Sequence, residues 1–587
     1  MQSQHSCLFF ATILLHVFIF IGGCEAAGYG SPKTGGARSV RKMRDLEEQQ
    51  QQQRLRSAFM SPQLDLQEEL QVALDAALGM GYRVHDKDIQ GIKEAMLSTW
   101  NSLPKDSSGR VERRSLSYVI NRHFMQKHRI SVRGLGWTPG NSSDQIPLLA
   151  HFAPEYANRV LGDSSSSYSI DDAVAVTVML DSLIEDSVAE TFEVVSQKFN
   201  TTTDLTQERL QGLVEDFLVN WMFSEDPDVI RRMEKNPSSR YRYFEDWKTL
   251  ERHLQGLVKT LVHKGYESAS QANWNPMKQS FSTEDGRDVA ASLVKTFGSF
   301  WETGCMEVKG KLMRMDLGAT GRIPLSKFHA AAFNGEWHFS ESEDYLRSLG
   351  ALDESSSWNG PRVIIANYLQ SASNCIVTTP YYRVCCPNDC EASLDALEAA
   401  VGGPTAEPEL LLALVGDLAA QNSDDEATFP ASLSSQLMSI AAAHDGVVPL
   451  HGRLFAQWLH YVFPHECPYP HKAGTVEAKS PKQYGISALA NKTEMRKGAM
   501  ASENASFVEG RAAEDFMTMW SHEEELLYER LHLTAPWERN ACQVFKLLLG
   551  AALALCGLLG VRNRFSGSDA KKALPLGMSP EGKCHFV

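Results

Sequence analysis

From Asp65 onward the apolar residues of this chain fall at intervals of three and four. Leu66, Leu70, Leu74 and Leu78 mark one helix face that stops at Gly79-Met-Gly81. The same spacing predicts helices over residues 88–100, 115–128, 171–199, 205–223, 243–263 and 285–314. Within 171–199, for example, Val174, Val178, Leu180, Leu183 and Ile184 share the apolar side. A further helical stretch is expected at 512–531. Two-residue alternation is scarce, so the expected fold class is mainly α.

The pattern changes at both ends. Residues 7–23 (CLFFATILLHVFIFIGG) are apolar and lead into Cys24-Glu-Ala-Ala27, which reads as a signal peptide cut near Ala26 or Ala27. The basic residues that usually precede such a run are missing, and an uncleaved anchor is the alternative. Residues 547–561 (LLLGAALALCGLLGV) are uncharged, with Trp537 ahead of them and Arg562, Arg564, Lys571 and Lys572 behind. This predicts one membrane span over 541–561 with a cytoplasmic tail, against a short buried helix.

The chain then divides as follows. A signal peptide occupies 1–27 and a Gly/Ser/Lys/Arg- and Gln-rich linker 28–60. An N-terminal helical domain covers 61–280, a cysteine-rich domain 281–475 and a juxtamembrane helical region 476–540. The span at 541–561 and the tail at 562–587 complete it. The basic, hydroxylated stretch after residue 28 also suits a plastid reached through the secretory route. A net charge of -15 over 587 residues argues against a nucleic-acid partner. The partners expected are the membrane, through that one helix, and another protein.

A secretory route agrees with the cysteines. Cys305, Cys375, Cys385, Cys386, Cys390 and Cys467 cluster in the centre, enough for three disulfides with fifteen possible connectivities. Adjacent Cys385 and Cys386 are expected to reach different partners. Sequons stand at Asn141, Asn200, Asn491 and Asn504.

Three loops share an outline of polar turn, Gly, Arg or Val, and a β-branched residue. They are Gly109-Arg-Val111, Gly321-Arg-Ile323 and Gly446-Val-Val448; Gly360-Pro-Arg-Val-Ile-Ile365 fits with one residue inserted. The outline resembles the EF-hand helix-loop-helix, with Asp316 at loop position 1, Gly321 at 6 and Ile323 at 8. Calcium needs a carboxylate at position 12, where Lys327 and Gly452 stand instead, and Gly318 offers no side chain at position 3. Degenerate EF-hand-like units are therefore expected to act as rigid scaffolds, with no cofactor; calcium and zinc are the alternatives.

Zinc enters because His460, His465, Cys467 and His471 lie within twelve residues. Their spacing matches no standard finger, and a disulfide-pinned proline loop is the competing reading. Cys375 or the Cys385-Cys386 pair would serve as nucleophile, with His451 or His460 as base, only as free thiolates. The chain has no Gly-x-Ser-x-Gly, His-Glu-x-x-His, P-loop or dinucleotide motif. No catalytic residue is assigned.

Several motifs resemble an uncharacterised family of secreted or single-pass membrane proteins of unicellular algae. They include Phe297-Gly-Ser-Phe-Trp-Glu302, Thr320-Gly-Arg-Ile-Pro-Leu-Ser326, Tyr345-Leu-Arg-Ser-Leu-Gly-Ala-Leu-Asp-Glu354, Ser373-Asn-Cys375 and Val384-Cys-Cys386. Val448-Pro-Leu-His-Gly-Arg-Leu-Phe-Ala-Gln-Trp-Leu-His460 and Pro464-His-Glu-Cys-Pro-Tyr-Pro-His471 complete the set. The resemblance spans most of residues 65–535 and brings no activity with it. The expectation is a membrane-anchored, glycosylated scaffold or recognition protein of the cell surface or endomembranes. A calcium-responsive module and a zinc- or thiol-dependent lumenal enzyme are the alternatives.

Overall fold

Three helices in this computed structural model begin where a hydroxyl cap follows a large apolar residue. Ser169 caps Ile170–Lys198 through a reciprocal bond with Asp172, and Ser282 caps Thr283–Met315 through Asp285 in the same way. Thr206 accepts from the Arg209 N–H at the start of Gln207–Met222. The structure describes residues 66–527, apart from 79–85, 136–145, 162–166, 200–204, 245, 269–279, 336–337, 357–359, 422–429, 478 and 504–516. The expected signal peptide, linker, span and tail lie outside the described residues, as do Asn141, Asn200 and Asn504.

Apolar loop residues ahead of the helix starts join these elements in pairs. Val111 and Tyr168 exchange backbone hydrogen bonds of 2.9 and 2.8 Å, and Leu205 and Phe281 do so at 2.8 and 3.0 Å. Strand β2 (Arg322–Pro324) pairs antiparallel with β4 (Arg362–Ile364), placing Ile323 opposite Val363; β3 (Leu352–Asp353) extends that sheet. Strands β7 (Thr405–Ala406) and β8 (Val448–Pro449) place Ala406 opposite Val448. Four pairs of helix-loop-helix units thus recur among the described residues, each joined through its loops.

Two long helices chain these pairs together. Ile170–Lys198 leaves the first pair and enters the second; Thr283–Met315 leaves the second and enters the third. Both are amphipathic, and the first buries Val174, Val178, Leu180, Leu183 and Ile184, the apolar face expected from the sequence. Phe192, Phe217, Trp221 and Phe297 join the two in an aromatic stack with ring centroids 5.1–6.4 Å apart.

The third sheet ties the halves together. Strand β1 (Ile130–Val132) pairs with β6 (Tyr382–Val384), which pairs with β5 (Val377–Thr378). The six central cysteines form three disulfides, Cys305–Cys386, Cys375–Cys385 and Cys390–Cys467, so Cys385 and Cys386 do reach different partners. Cys390–Cys467 closes a separation of 77 residues. Replacing both by alanine is expected to cost roughly 2–5 kcal/mol in urea unfolding, because the unfolded chain regains that loop's freedom.

One expected helix takes another form. Within 512–531 the described residues, 517–527, are extended and turned rather than helical. Their backbone groups bond instead to Arg453, Gln457 and Tyr469 of other elements.

Candidate functional site

The loops between these helices were the candidate ion sites, and the hydrogen bonds of their acidic residues show what holds them. Thr283–Met315 ends at Asp316, whose carboxylate has a side-chain exposure of 2%. Oδ2 accepts from Gly321 N–H at 2.6 Å and from His465 Nε2 at 2.9 Å. Oδ1 accepts from Gly318 N–H and the Thr320 hydroxyl, both at 3.3 Å. Burial pushes the Asp316 carboxyl up, but the His465 bond and the loop N–H groups outweigh it and hold it below its ordinary value. Lys327, at the expected loop position 12, reaches back to the Met315 carbonyl at 3.5 Å.

The segment that supplies His465 is pressed onto the loop. Gly321 has φ +70°, and a Cβ there would lie 2.3 Å from the Pro464 carbonyl oxygen. Gly321→Ala therefore combines left-handed strain with a backbone clash. It is expected to lower stability by about 1–3 kcal/mol from the strain alone, read as a drop in urea midpoint.

The neighbouring loop of the same pair is filled differently. Asp353 is completely buried and accepts from Arg322 Nε at 2.6 Å and Arg362 Nη2 at 2.9 Å through one oxygen. Its other oxygen takes Ser355 N–H and Oγ. Burial raises the Asp353 carboxyl, and the Arg322 charge leads the interactions that bring it below its usual range. Arg322 also lies over the Tyr461 ring at 5.5 Å.

In the first pair, Asp106 accepts from Ser108 Oγ and N–H and from Arg110 N–H, closing an exposed turn. The Ser108 hydroxyl leads the bonds that pull its carboxyl down to about 2. Arg110 then reaches Asp172 at 3.0 Å. In the fourth pair, Gly452, expected at loop position 12, has no side chain. Glu524, from a distant segment, occupies that space, 3.1 Å from where a Gly452 Cβ would be. It accepts from Leu454 N–H at 3.0 Å and faces His444 Nε2 at 3.3 Å.

The four residues singled out for zinc are each engaged separately. His460 is buried, with Nδ1 2.7 Å from the Cys467 carbonyl, and burial pushes the ring down to about 3. His465 binds Asp316, Cys467 is in its disulfide, and His471 Nε2 lies 2.7 Å from the Gly350 carbonyl. Among the described residues no three His, Cys, Asp or Glu side chains are grouped to hold a metal. Cys375, Cys385 and Cys386, considered as thiol nucleophiles, are all bridged. Asn491 is exposed and its Oδ1 caps helix Lys492–Glu503 through the Thr493 and Glu494 N–H groups.

A cluster that the sequence did not reveal surrounds His451. Its Nε2 lies 2.8 Å from Ser102 Oγ and 3.3 Å from Glu398 Oε1, and Thr99 Oγ1 donates to Glu398 Oε2 at 3.0 Å. Serine and glutamate meet the same ring nitrogen, whereas a hydrolase triad needs them on opposite nitrogens. Ser102 is also fully buried. The arrangement is a structural anchor for Arg122, which reaches Glu398 at 2.5 Å.

No family model, curated protein or solved structure matches the chain. Among the described residues no helix is long and apolar enough to cross a membrane, and the expected span at 541–561 lies outside them.

Proposed function

We propose that this chain is a non-catalytic recognition scaffold built from degenerate EF-hand-like pairs, whose ion positions are filled by the protein's own groups. The observation that carries this reading is Asp316, the first loop residue, held by His465 from 149 positions away in place of a cation. Arg322 and Arg362 at Asp353 support it in the same pair. The position-8 residues Ile323 and Val363 face each other, as paired EF-hand loops require. On this reading the ectodomain stands on the apolar run 541–561, carries glycans on its sequons, and presents its helical surface to a protein partner. The likeness to the algal membrane-protein family fits such a placement.

Calcium titration tests this directly. The purified protein is expected to show no change in melting temperature between chelator and about 1 mM calcium. A rise of several degrees would overturn the scaffold reading in favour of a calcium-responsive module. Zinc gives the same contrast for the metalloenzyme alternative.

A further inference from the structure

Residues 517–527 (MTMWSHEEELL) lie along helix Arg453–Val462 as an extended peptide would lie in a receptor. Gly452 and Leu526 form an antiparallel bridge, and Arg453 N–H donates to the Glu525 carbonyl at 3.1 Å. The Gln457 amide reads the Ser521 backbone on both sides, donating to its carbonyl and accepting from its N–H, each at 3.1 Å. Arg453 Nη1 donates to the Glu523 carbonyl at 2.9 Å, and Tyr469 OH to the Met519 carbonyl at 2.5 Å. Most of the recognition is therefore made to main chain, by the side chains of Arg453, Gln457 and Tyr469 and one bridge at Gly452.

Two side chains give it specificity. Glu524 seats its carboxyl at the first turn of helix Arg453–Val462, accepting from Leu454 N–H at 3.0 Å; burial raises this carboxyl, and the N–H groups and the facing His444 offset that in part. Leu526 is buried two residues later. Met519 and Trp520 pack only partly buried against the core formed by Trp458, Leu459 and Tyr461, while Thr518, His522 and Glu523 face solvent. At the far end a cavity of about 300 Å³ opens between Glu525, Leu526 and Leu527 on one side and Arg114, Tyr118 and His451 on the other.

We propose that this groove is a recognition site for an extended acidic peptide, filled in cis by residues 517–527 and opened when a peptide of the same pattern displaces them. The pattern is a glutamate seated at the helix N-terminus, a leucine two residues later, and a main chain free to pair. This rests on the scaffold reading and names the chemistry of its partner. The tethered segment competes at an effective concentration on the order of mM, so the wild-type groove admits only a partner that beats it.

The test uses the full-length chain in detergent micelles and a fluorescein-labelled peptide of sequence MTMWSHEEELL. Glu524→Ala/Leu526→Ala in the chain weakens the tethered segment, and the peptide is expected to bind this variant at least tenfold more tightly than wild type. The same peptide carrying Gln for its second Glu is expected to lose about tenfold. A variant that melts cooperatively yet binds no better than wild type would overturn the proposal. Should the variant not fold, a specific protease site placed within 504–516 of the wild type separates 517–587 from the body while keeping every groove residue wild type. Excess peptide is then expected to release that fragment; retention against millimolar peptide would overturn the proposal. A calcium response would count against the scaffold reading alone.

Discussion

Arg122→Met is expected to lower the unfolding free energy by about 3–5 kcal/mol, because it leaves a buried carboxylate without its cation. Arg122 on helix Arg113–His128 reaches Glu398 and Glu391 at 2.5 Å and Asp395 at 2.7 Å, all on helix Cys390–Val401. Its side chain is 3% exposed and that of Glu398 is 0%, while Asp395 is 47% exposed. Burial raises the Glu398 carboxyl, and His451 and Arg122 together more than offset this and hold it below its usual range. Without the guanidinium, Glu398 keeps only Thr99 and the longer contact to His451. The comparison that localises the effect is Asp395→Asn, whose exposed pairing is worth at most about 1 kcal/mol. Urea midpoints for the two variants should differ widely. Equal, small losses would show that the network is solvated and the first and fourth pairs are held together elsewhere.

The helices were largely legible because their apolar spacing is regular, and so were the outlines of two loops, though not that they pair. Gly321-Arg-Ile323 and Gly360-Pro-Arg-Val363 carry the same outline and face one another in the structure. Val111 and Val448 were equally visible, but their partners, Tyr168 and Ala406, were not. The pair Leu205 and Phe281 went unseen altogether. These loops lack the glycine-arginine signal; what they share is an apolar residue directly before a helix start. Tyr168-Ser169, Leu205-Thr206 and Phe281-Ser282 each put it before a hydroxyl N-cap, a weaker pattern that recurs by chance.

Side-chain partners were harder still. Asp316 meets His465 across 149 positions, Thr99 meets Glu398 across 299, and Ser102 meets His451 across 349. No local spacing encodes such encounters. Residues 512–531 have helical periodicity, yet 517–527 are drawn out by Arg453, Gln457 and Tyr469, a tertiary override of propensity. The density of histidine and cysteine over 460–471 was real, but it served separate contacts to Asp316, Gly350, Cys390 and a backbone carbonyl.

Acid should unfold this protein in two stages, the first set by histidines. Burial is the leading cause in each of three cases, pushing His123 and His128 down to about 4 and His460 to about 3. Each ring is neutral in the fold and titrates near 6.5 when unfolded. Their contribution is therefore fully present above pH 6.5 and is lost as pH falls towards 4. The loss amounts to roughly 1.4 kcal/mol per pH unit for each proton taken up on unfolding. Burial raises Glu341 and Asp181, which act in the opposite sense, since their protonated forms suit the fold and stability grows as pH falls. The difference between wild type and His123→Gln/His128→Gln largely cancels that shared term, although Asp181 lies 3.7 Å from His128 and its carboxyl responds to the His123 charge. Between pH 7 and 5 the wild type is expected to lose roughly 2–4 kcal/mol more than the variant in urea unfolding. Parallel profiles would mean that the two rings are solvated. Asp316, Asp353 and Glu398 are held below their usual values, so their share survives this stage. It is lost only as pH falls below about 4 through the folded values, when the carboxylates that hold His465, Arg322, Arg362 and Arg122 are protonated in turn.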